Sequence, residues 1–429
     1  MTGVATALLL LLVGIGIPIA AALFYLGLAL GELYAFLPPL PSLGDIAWST
    51  STEFLFVSIP LFILMGEVLL RAGLAEEMYR ALAPRLARVP GGLMHTNIAS
   101  CALFAATSGS SVATAATIGT IAMPNMDRFG YSRPLFLGSL AAGGTLGILI
   151  PPSINMIIYG VLADVSVGDL YLAGIIPGLM MAGLFMVAVW AICLVRPAAG
   201  GHGTEVERAP GAWRGLVMVA GLFFLVVGSI YAGFATPTEA AALGVLGAFA
   251  LAAARRRLNA GVLMEAFEGT MRTTCMVMLI VLAAYFLNFV LTNIGLTRTV
   301  VAWVQGLDVP PVVVLAAVVA LYFLLGCFMD TLSLMIATTP VVVPIMVAVG
   351  YDPLWFGIVF IILIEAALIT PPVGMNLFVV QAARGGGPFR DVVVGALPFL
   401  VIMVAMIVLL ALVPGLALML PQAFKGGGG

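Results

Sequence analysis

Apolar runs of about 20 residues succeed one another along almost the whole chain, divided by short polar segments. Wound as helices, such runs cross a hydrocarbon core of roughly 30 Å. They lack the strict alternation of barrel strands, so the pattern predicts an all-α polytopic membrane protein. Two runs are interrupted in the same way. "GILIPPSINM" (Gly147–Met156) and "ALITPPVGMN" (Ala367–Asn376) each set two adjacent prolines inside an apolar stretch. A proline lacks the backbone N–H and clashes with the preceding turn, costing roughly 3 kcal/mol in a helix interior. Two broken helices are therefore expected, over 134–163 and 354–383. Residues 1–37, interrupted at Pro18, are expected to form one long helix or two short ones.

Charge gives these runs a direction. Arginines gather in 71–90, in 127–133, in 196–214, at Arg255-Arg256-Arg257, and at Arg384 and Arg390. Segments 38–47, 163–169, 233–238 and 350–353 are poor in arginine and hold Asp45, Asp164, Asp169 and Asp352. The positive-inside rule assigns the first set to the cytoplasm and the second to the outside. Residues 91–126 then enter and leave on the cytoplasmic side, and 311–349 on the outer side. Each is barely long enough for two short helices, so each is read as a re-entrant hairpin, although two complete short spans also fit. The side of the N-terminus stays open.

Landmarks recur in one order. "MPNMDRFGYSRPLF" (123–136) matches "VPIMVAVGYDPLWF" (343–356) in its Pro, Gly-Tyr and Pro-Leu positions. The double prolines follow, then "AGIIPGL" (173–179) and "VGALPFL" (394–400); upstream, "LLRAGL" (69–74) echoes "LTNIGL" (291–296). Since the two copies have opposite sidedness, this is an inverted-topology repeat, the usual build of secondary transporters. The expected division is 1–48 N-terminal scaffold helices, 49–200 first repeat, 201–262 linking scaffold helices, 263–420 second repeat and 421–429 tail. The closing "KGGGG" is read as an appended sequence.

Composition narrows the function. Of 429 residues 63% are hydrophobic and 8% charged, against about 25% charged in soluble domains. Lys425 is the only lysine, which excludes a P-loop ATPase. Cys101, Cys193, Cys275 and Cys327 are scattered without CxxC spacing and read as small buried hydrophobes. Gly109-Ser110-Ser111-Val112-Ala113 lacks the last glycine of GxSxG, and there is no HExxH, so no enzyme is expected. A channel is disfavoured by inverted repeats with broken helices.

Irregular backbone at membrane depth is tolerated only inside protein or beside a wet cavity. A double proline frees carbonyls that can hold a small cation, and the half-helix beyond it turns a positive dipole end toward an anion. A simple kink is the alternative. Ser153 and Asn155 follow the first break; Gly374 and Asn376 follow the second. Asparagine is costly in hydrocarbon, so the matched pair suggests substrate contact. The first hairpin tip holds Thr107, Ser108, Ser110, Ser111 and Thr114 around Gly109, and the second holds Asp330 and Thr331. Hydroxyls and carbonyls suit a hard monovalent cation, although small and hydroxyl residues also serve close helix packing. Glu53, Glu67, Glu239 and Glu365 are the other intramembrane acids, which keeps proton coupling open. His95 and His202 read as loop or boundary residues.

The segments "SGSSVATAATIGTIAMPNM", "GYSRPLFLGSLAAGGTLGILIPPSINMIIYG", "PVVVPIMVAVGYDPLWFGIVFI" and "ITPPVGMNLFVVQ" resemble the large membrane subunit of tripartite ATP-independent periplasmic (TRAP) transporters, in the ion transporter superfamily. The resemblance spans essentially the full chain. It implies an elevator-type subunit of the bacterial inner membrane, working with a small four-helix membrane subunit and a periplasmic binding protein that delivers an organic anion. It implies sodium as coupling ion, no other cofactor and no nucleic-acid partner. Carried onto this chain, one sodium site joins Ser108, Ser110 and Ser111 to Pro151 and Ser153. A second joins Asp330 and Thr331 to Thr370, Pro371 and Gly374, with the anion near Thr114, Asn155 and Asn376. A sodium- or proton-coupled carrier that works without a binding protein is the alternative.

Overall fold

Proline and glycine punctuate an otherwise continuous series of apolar helices. The computed structural model describes residues 1–201, 212–326 and 329–426, with no strand among them. Pro18 ends the first run as two helices, α1 (Thr2–Gly14) and α2 (Ile19–Tyr34). Then come α3 (Leu43–Ser51), α4 (Ser58–Arg71), α5 (Leu74–Leu86), α6 (Leu93–Ser108), α7 (Ser111–Arg128), α8 (Arg133–Leu149), α9 (Ile154–Ala163) and α10 (Val167–Val195). Helices α11 (Ala212–Tyr231) and α12 (Pro237–Ala254) link to the second half. That half comprises α13 (Ala260–Asn293), α14 (Leu296–Gln305), α15 (Pro311–Leu325), α16 (Thr331–Ala348), α17 (Pro353–Leu368), α18 (Met375–Arg384) and α19 (Phe389–Leu412). Helix α20 (Gly415–Gly426) closes the described chain and runs across the expected tail boundary at 421.

The halves match helix for helix, α4–α10 against α13–α19. Both hairpins form, as α6–α7 and α15–α16, and both runs break at the prolines. Pro151-Pro152 and Pro371-Pro372 are each joined by a cis peptide bond. Among the described residues seven helices are long and apolar enough to cross a membrane, and α8–α9, bent by 46° at its break, makes an eighth. Packing is exchanged between the halves: α7 lies on α18, α16 on α9, α8 on α19 and α17 on α10. Helices α2, α3 and α4 pack on α13, and α12 packs on α4; this framework meets the hairpins where α4 touches α6 and α13 touches α16.

The core of the exchange is tightly packed. Phe360 of α17 stacks edge-on against Tyr159 of α9 and Tyr322 of α15, and the Tyr159 hydroxyl donates to the Pro353 carbonyl at 2.7 Å. Helices α8 and α19 touch backbone to backbone, because a Cβ on Gly395 would collide with the Pro134 carbonyl and one on Gly138 with the Gly395 carbonyl. The buried Trp355 indole donates to the Leu410 carbonyl at 3.0 Å, tying α17 to α19. Trp355→Phe should cost about 1–3 kcal/mol, from lost volume and a stranded acceptor. Thermal unfolding of the detergent-solubilised protein reads this directly; an unchanged midpoint would deny the bond any stabilising part.

Ion pairs lie along the arginine-rich segments. Arg71 bridges Glu67 of its own helix at 3.0 Å and Glu265 of α13, and Arg255 meets Glu77 of α5 at 2.9 Å. Of the cysteines, Cys101 and Cys193 are buried as expected, whereas Cys275 is exposed. It sits on the outer face of α13, which turns Met271, Met276 and Leu279 outward as well, so an apolar helix offers cysteine two faces and this one takes the outer. Cys327, with Phe328 and residues 202–211, lies outside the described residues.

Candidate functional site

The first hairpin tip is a helix-to-helix reversal. Gly109 caps α6 at φ 59°, and Ser110 caps α7, its Oγ accepting from the Ala113 N–H at 3.3 Å. This tip seats on α8 just before the first break. A Cβ on Gly147 would lie 2.9 Å from Ser111 Cα, and one on Gly144 would lie 3.2 Å from the Ser111 carbonyl and 3.1 Å from Asn376 Nδ2. At Gly109 the neighbour is Ile154, the first residue of α9. Ser110 and Ser111 thus meet α8 at Gly147, four residues before Pro151, and Gly109 meets Ile154 just after the break. Ser108 ends α6, and its side chain lies outside what the structure describes.

At the first break Pro151 and Ser153 are buried. Ser153 caps α9, its Oγ 3.5 Å from the Met156 N–H, and its carbonyl accepts from the Tyr171 hydroxyl at 3.5 Å. Asn155 follows inside α9, fully enclosed, and its Nδ2 has no hydrogen-bond partner among the described residues. Thr114 is buried one turn into α7.

The second tip repeats the plan with a charge. Asp330 caps α16, its Oδ2 accepting from the Ser333 N–H at 3.1 Å, and Thr331 is buried as the first helical residue. The Ser333 Oγ is buried without a partner among the described residues. Gly326, at the end of α15, lies against Ala367 near the end of α17, which brings the second tip beside the second break. There Thr370 Oγ1 donates to the Ala366 carbonyl at 2.7 Å. Gly374 caps α18 at φ 44°, and a Cβ on it would lie 3.0 Å from both the Leu368 and the Thr370 carbonyls. Two carbonyls therefore converge on the turn after Pro371, where only glycine fits.

Asn376 crosses between the halves. Its Nδ2 donates to the Ala141 carbonyl of α8 at 3.2 Å, which leaves its Oδ1 buried and unpartnered among the described residues. Asn155 and Asn376 occupy the same place in their half-helices, two residues after the caps Ser153 and Gly374. The matched pair thus sits at two helix N-termini, where backbone N–H groups favour an anion.

Three of the four other acids have plain duties. Glu53 caps the turn at 54–57, Glu67 pairs with Arg71, and Glu239 closes a capping box with Thr236. Glu365 differs: it is fully buried in α17, and its Oε2 accepts from the Ser111 hydroxyl at 2.7 Å. Sequence alone marks it as an acid in an apolar run. That it reaches the hairpin tip of the other half is visible only in three dimensions.

Paired hairpins and broken helices, exchanged between halves within a bundle of membrane-spanning helices, define a multi-pass transporter and not an enzyme. The crystal structure of the Alcanivorax borkumensis YdaH transporter shares this fold, with a TM-score of 0.65 at 19% identity over 92% of this chain and 97% of that one. Residues 4–416 match the family model "Tripartite ATP-independent periplasmic transporter, DctM component", and the chain belongs to that family. It is 34% identical to the C4-dicarboxylate TRAP transporter large permease protein DctM of Pseudomonas aeruginosa, over 89% of each chain. It is 32% identical to the sialic acid TRAP transporter large permease protein SiaM of Vibrio cholerae, over 88% of each.

Proposed function

We propose that the chain is the inner-membrane large subunit of a sodium-coupled symporter that imports a small organic anion. A periplasmic binding protein delivers the anion, and a small four-helix membrane subunit completes the assembly. The observation that carries this reading is the duplicated cradle of acceptor oxygens: each hairpin tip, capped by Ser110 or Asp330, lies beside a proline break, with the Leu368 and Thr370 carbonyls converging at the second. Such oxygen sets suit a hard monovalent cation. Between the two cradles the N-termini of α9 and α18 present Asn155 and Asn376, and the unpartnered Asn155 Nδ2 is a donor for a carboxylate. Relatives named for C4-dicarboxylates and sialic acid are consistent with a carboxylate cargo. An elevator-type movement would carry the hairpins and broken helices along the framework that α2, α3, α4 and α12 build with α13, across the contacts of α4 with α6 and of α13 with α16.

Thermal unfolding in matched NaCl, KCl and choline chloride tests the coupling ion. A ligand of the folded state at 100 times its dissociation constant stabilises by about 2.7 kcal/mol. A saturable rise in melting temperature with sodium alone is expected. Coincident curves in the three salts would sink the sodium assignment.

A further inference from the structure

We infer that Glu365 is the carboxylate ligand of the cation site at the first hairpin tip, a charge supplied by the opposite half of the molecule. The inference rests on the sodium-coupled reading above and adds to it a residue outside the hairpin–break sets of either half. Without Glu365 the first cradle consists of hydroxyls and carbonyls only, from Ser110, Ser111 and the break at Pro151–Ser153. The second contains Asp330.

The geometry is specific. Glu365 is 0% exposed, and one of its oxygens accepts the Ser111 hydroxyl proton at 2.7 Å. The other, Oε1, is buried and has no hydrogen-bond donor among the described residues, nor does any arginine there pair with it. A buried carboxylate demands a compensating positive charge or a full set of donors. Ser111 opens the eighteen-residue helix α7, so the carboxylate stands where the hairpin reverses and α8 approaches most closely.

Register sets the two halves side by side. Glu365 is the thirteenth residue after the cap Asp352 of α17; the thirteenth after the cap Ser132 of α8 is Thr145. At the tips the caps are Ser110 and Asp330. The second half thus carries both acids, Asp330 at its cap and Glu365 in its broken helix, where the first half has Ser110 and Thr145. Each cradle receives one carboxylate, the first from across the pseudo-symmetry axis and the second from its own hairpin. One negative charge per site matches one monovalent cation per site.

The test is a sodium titration of thermal stability on the full-length protein in detergent, for the wild type, Glu365→Gln and Glu365→Asp, each against KCl. Glutamine keeps the shape and an acceptor for Ser111 but loses the charge. Its sodium midpoint should rise by about 10- to 100-fold, while its stability in KCl stays near that of the wild type. A role confined to packing would lower stability equally in both salts and leave the midpoint where it was. A Glu365→Gln midpoint within twofold of the wild type overturns the inference and leaves the sodium reading intact. A wild type that does not respond to sodium removes the sodium reading itself and this inference with it. Should Glu365→Gln fail to fold, Glu365→Asp decides: it retains the charge but withdraws the oxygens by one methylene, and an unshifted midpoint there also overturns the assignment.

Discussion

Gly395→Ala should prevent recovery of folded protein, although it adds a single methyl group. The new Cβ would fall on the Pro134 carbonyl and lie 3.1 Å from the Gly138 nitrogen, both fixed backbone atoms of α8. Ordinary over-packing costs about 1–3 kcal/mol because side chains re-rotate around the intruder. Here nothing can rotate, so α19 must slide off α8, against which it packs closely. Size-exclusion profiles of the detergent extract measure the result. Gly183→Ala is the control: it lies in α10 with nothing within 4 Å of its would-be Cβ, and alanine there should be neutral or stabilising by up to about 1 kcal/mol. Monodisperse Gly395→Ala protein with wild-type stability would mean that α8 and α19 do not approach this closely.

Asp330→Ala has the largest expected effect on transport. Its carboxylate caps α16 and, in the proposed sodium-coupled mechanism, furnishes the charge of the second cradle. Losing an N-cap costs about 0.5–2 kcal/mol of stability, which a membrane protein of this size can survive. Losing the charge that balances a buried cation is worth about 3–5 kcal/mol, or some 10²–10⁴ in affinity. Sodium-driven uptake into proteoliposomes carrying the assembled transporter, supplied with its binding protein, should therefore fall about 100-fold or more, with the sodium-specific rise in melting temperature reduced alongside. Asp330→Asn separates the two duties, because asparagine caps nearly as well as aspartate but carries no charge. If Asp330→Asn transports at the wild-type rate, the aspartate is a cap and nothing more.

Much of this architecture is legible in the sequence because its strongest signals are local. Pro151-Pro152 and Pro371-Pro372 can only interrupt a helix, and both runs break there. Asn155 and Asn376 lie three and four residues after their breaks, and the caps Ser153 and Gly374 bring them to the same place. The seams between the halves are another matter. Nothing in the run around Glu365 says that its carboxyl meets Ser111, since their distance in the chain is long and a buried acid reads the same whether it carries a proton, pairs with arginine or faces a hairpin. Gly138 and Gly395 are two among 49 glycines, and only the crossing of α8 and α19 sets them apart. Ser110, Ser153 and Asp330 read as cation ligands in the sequence, and in the structure each also caps a helix. A cap leaves lone pairs free, so one oxygen can hold a helix terminus and still face an ion. Cys275 shows the converse: a small apolar residue says nothing about which side of its helix is covered.

The exchanged packing carries a consequence for ancestry. In each half the returning arm of the hairpin rests on the far half-helix of the other half, α7 on α18 and α16 on α9. A single half made alone would leave both of those surfaces bare within the bilayer, and Ser111 without the acid it touches. Before duplication, such a unit would have been complete only as a pair of identical chains inserted in opposite directions. Joining the copies through α11 and α12 fixed that antiparallel pairing in one polypeptide. It also freed the copies to diverge, so that the second holds both acids, one at a hairpin tip and one in a broken helix, and lends the latter to the first.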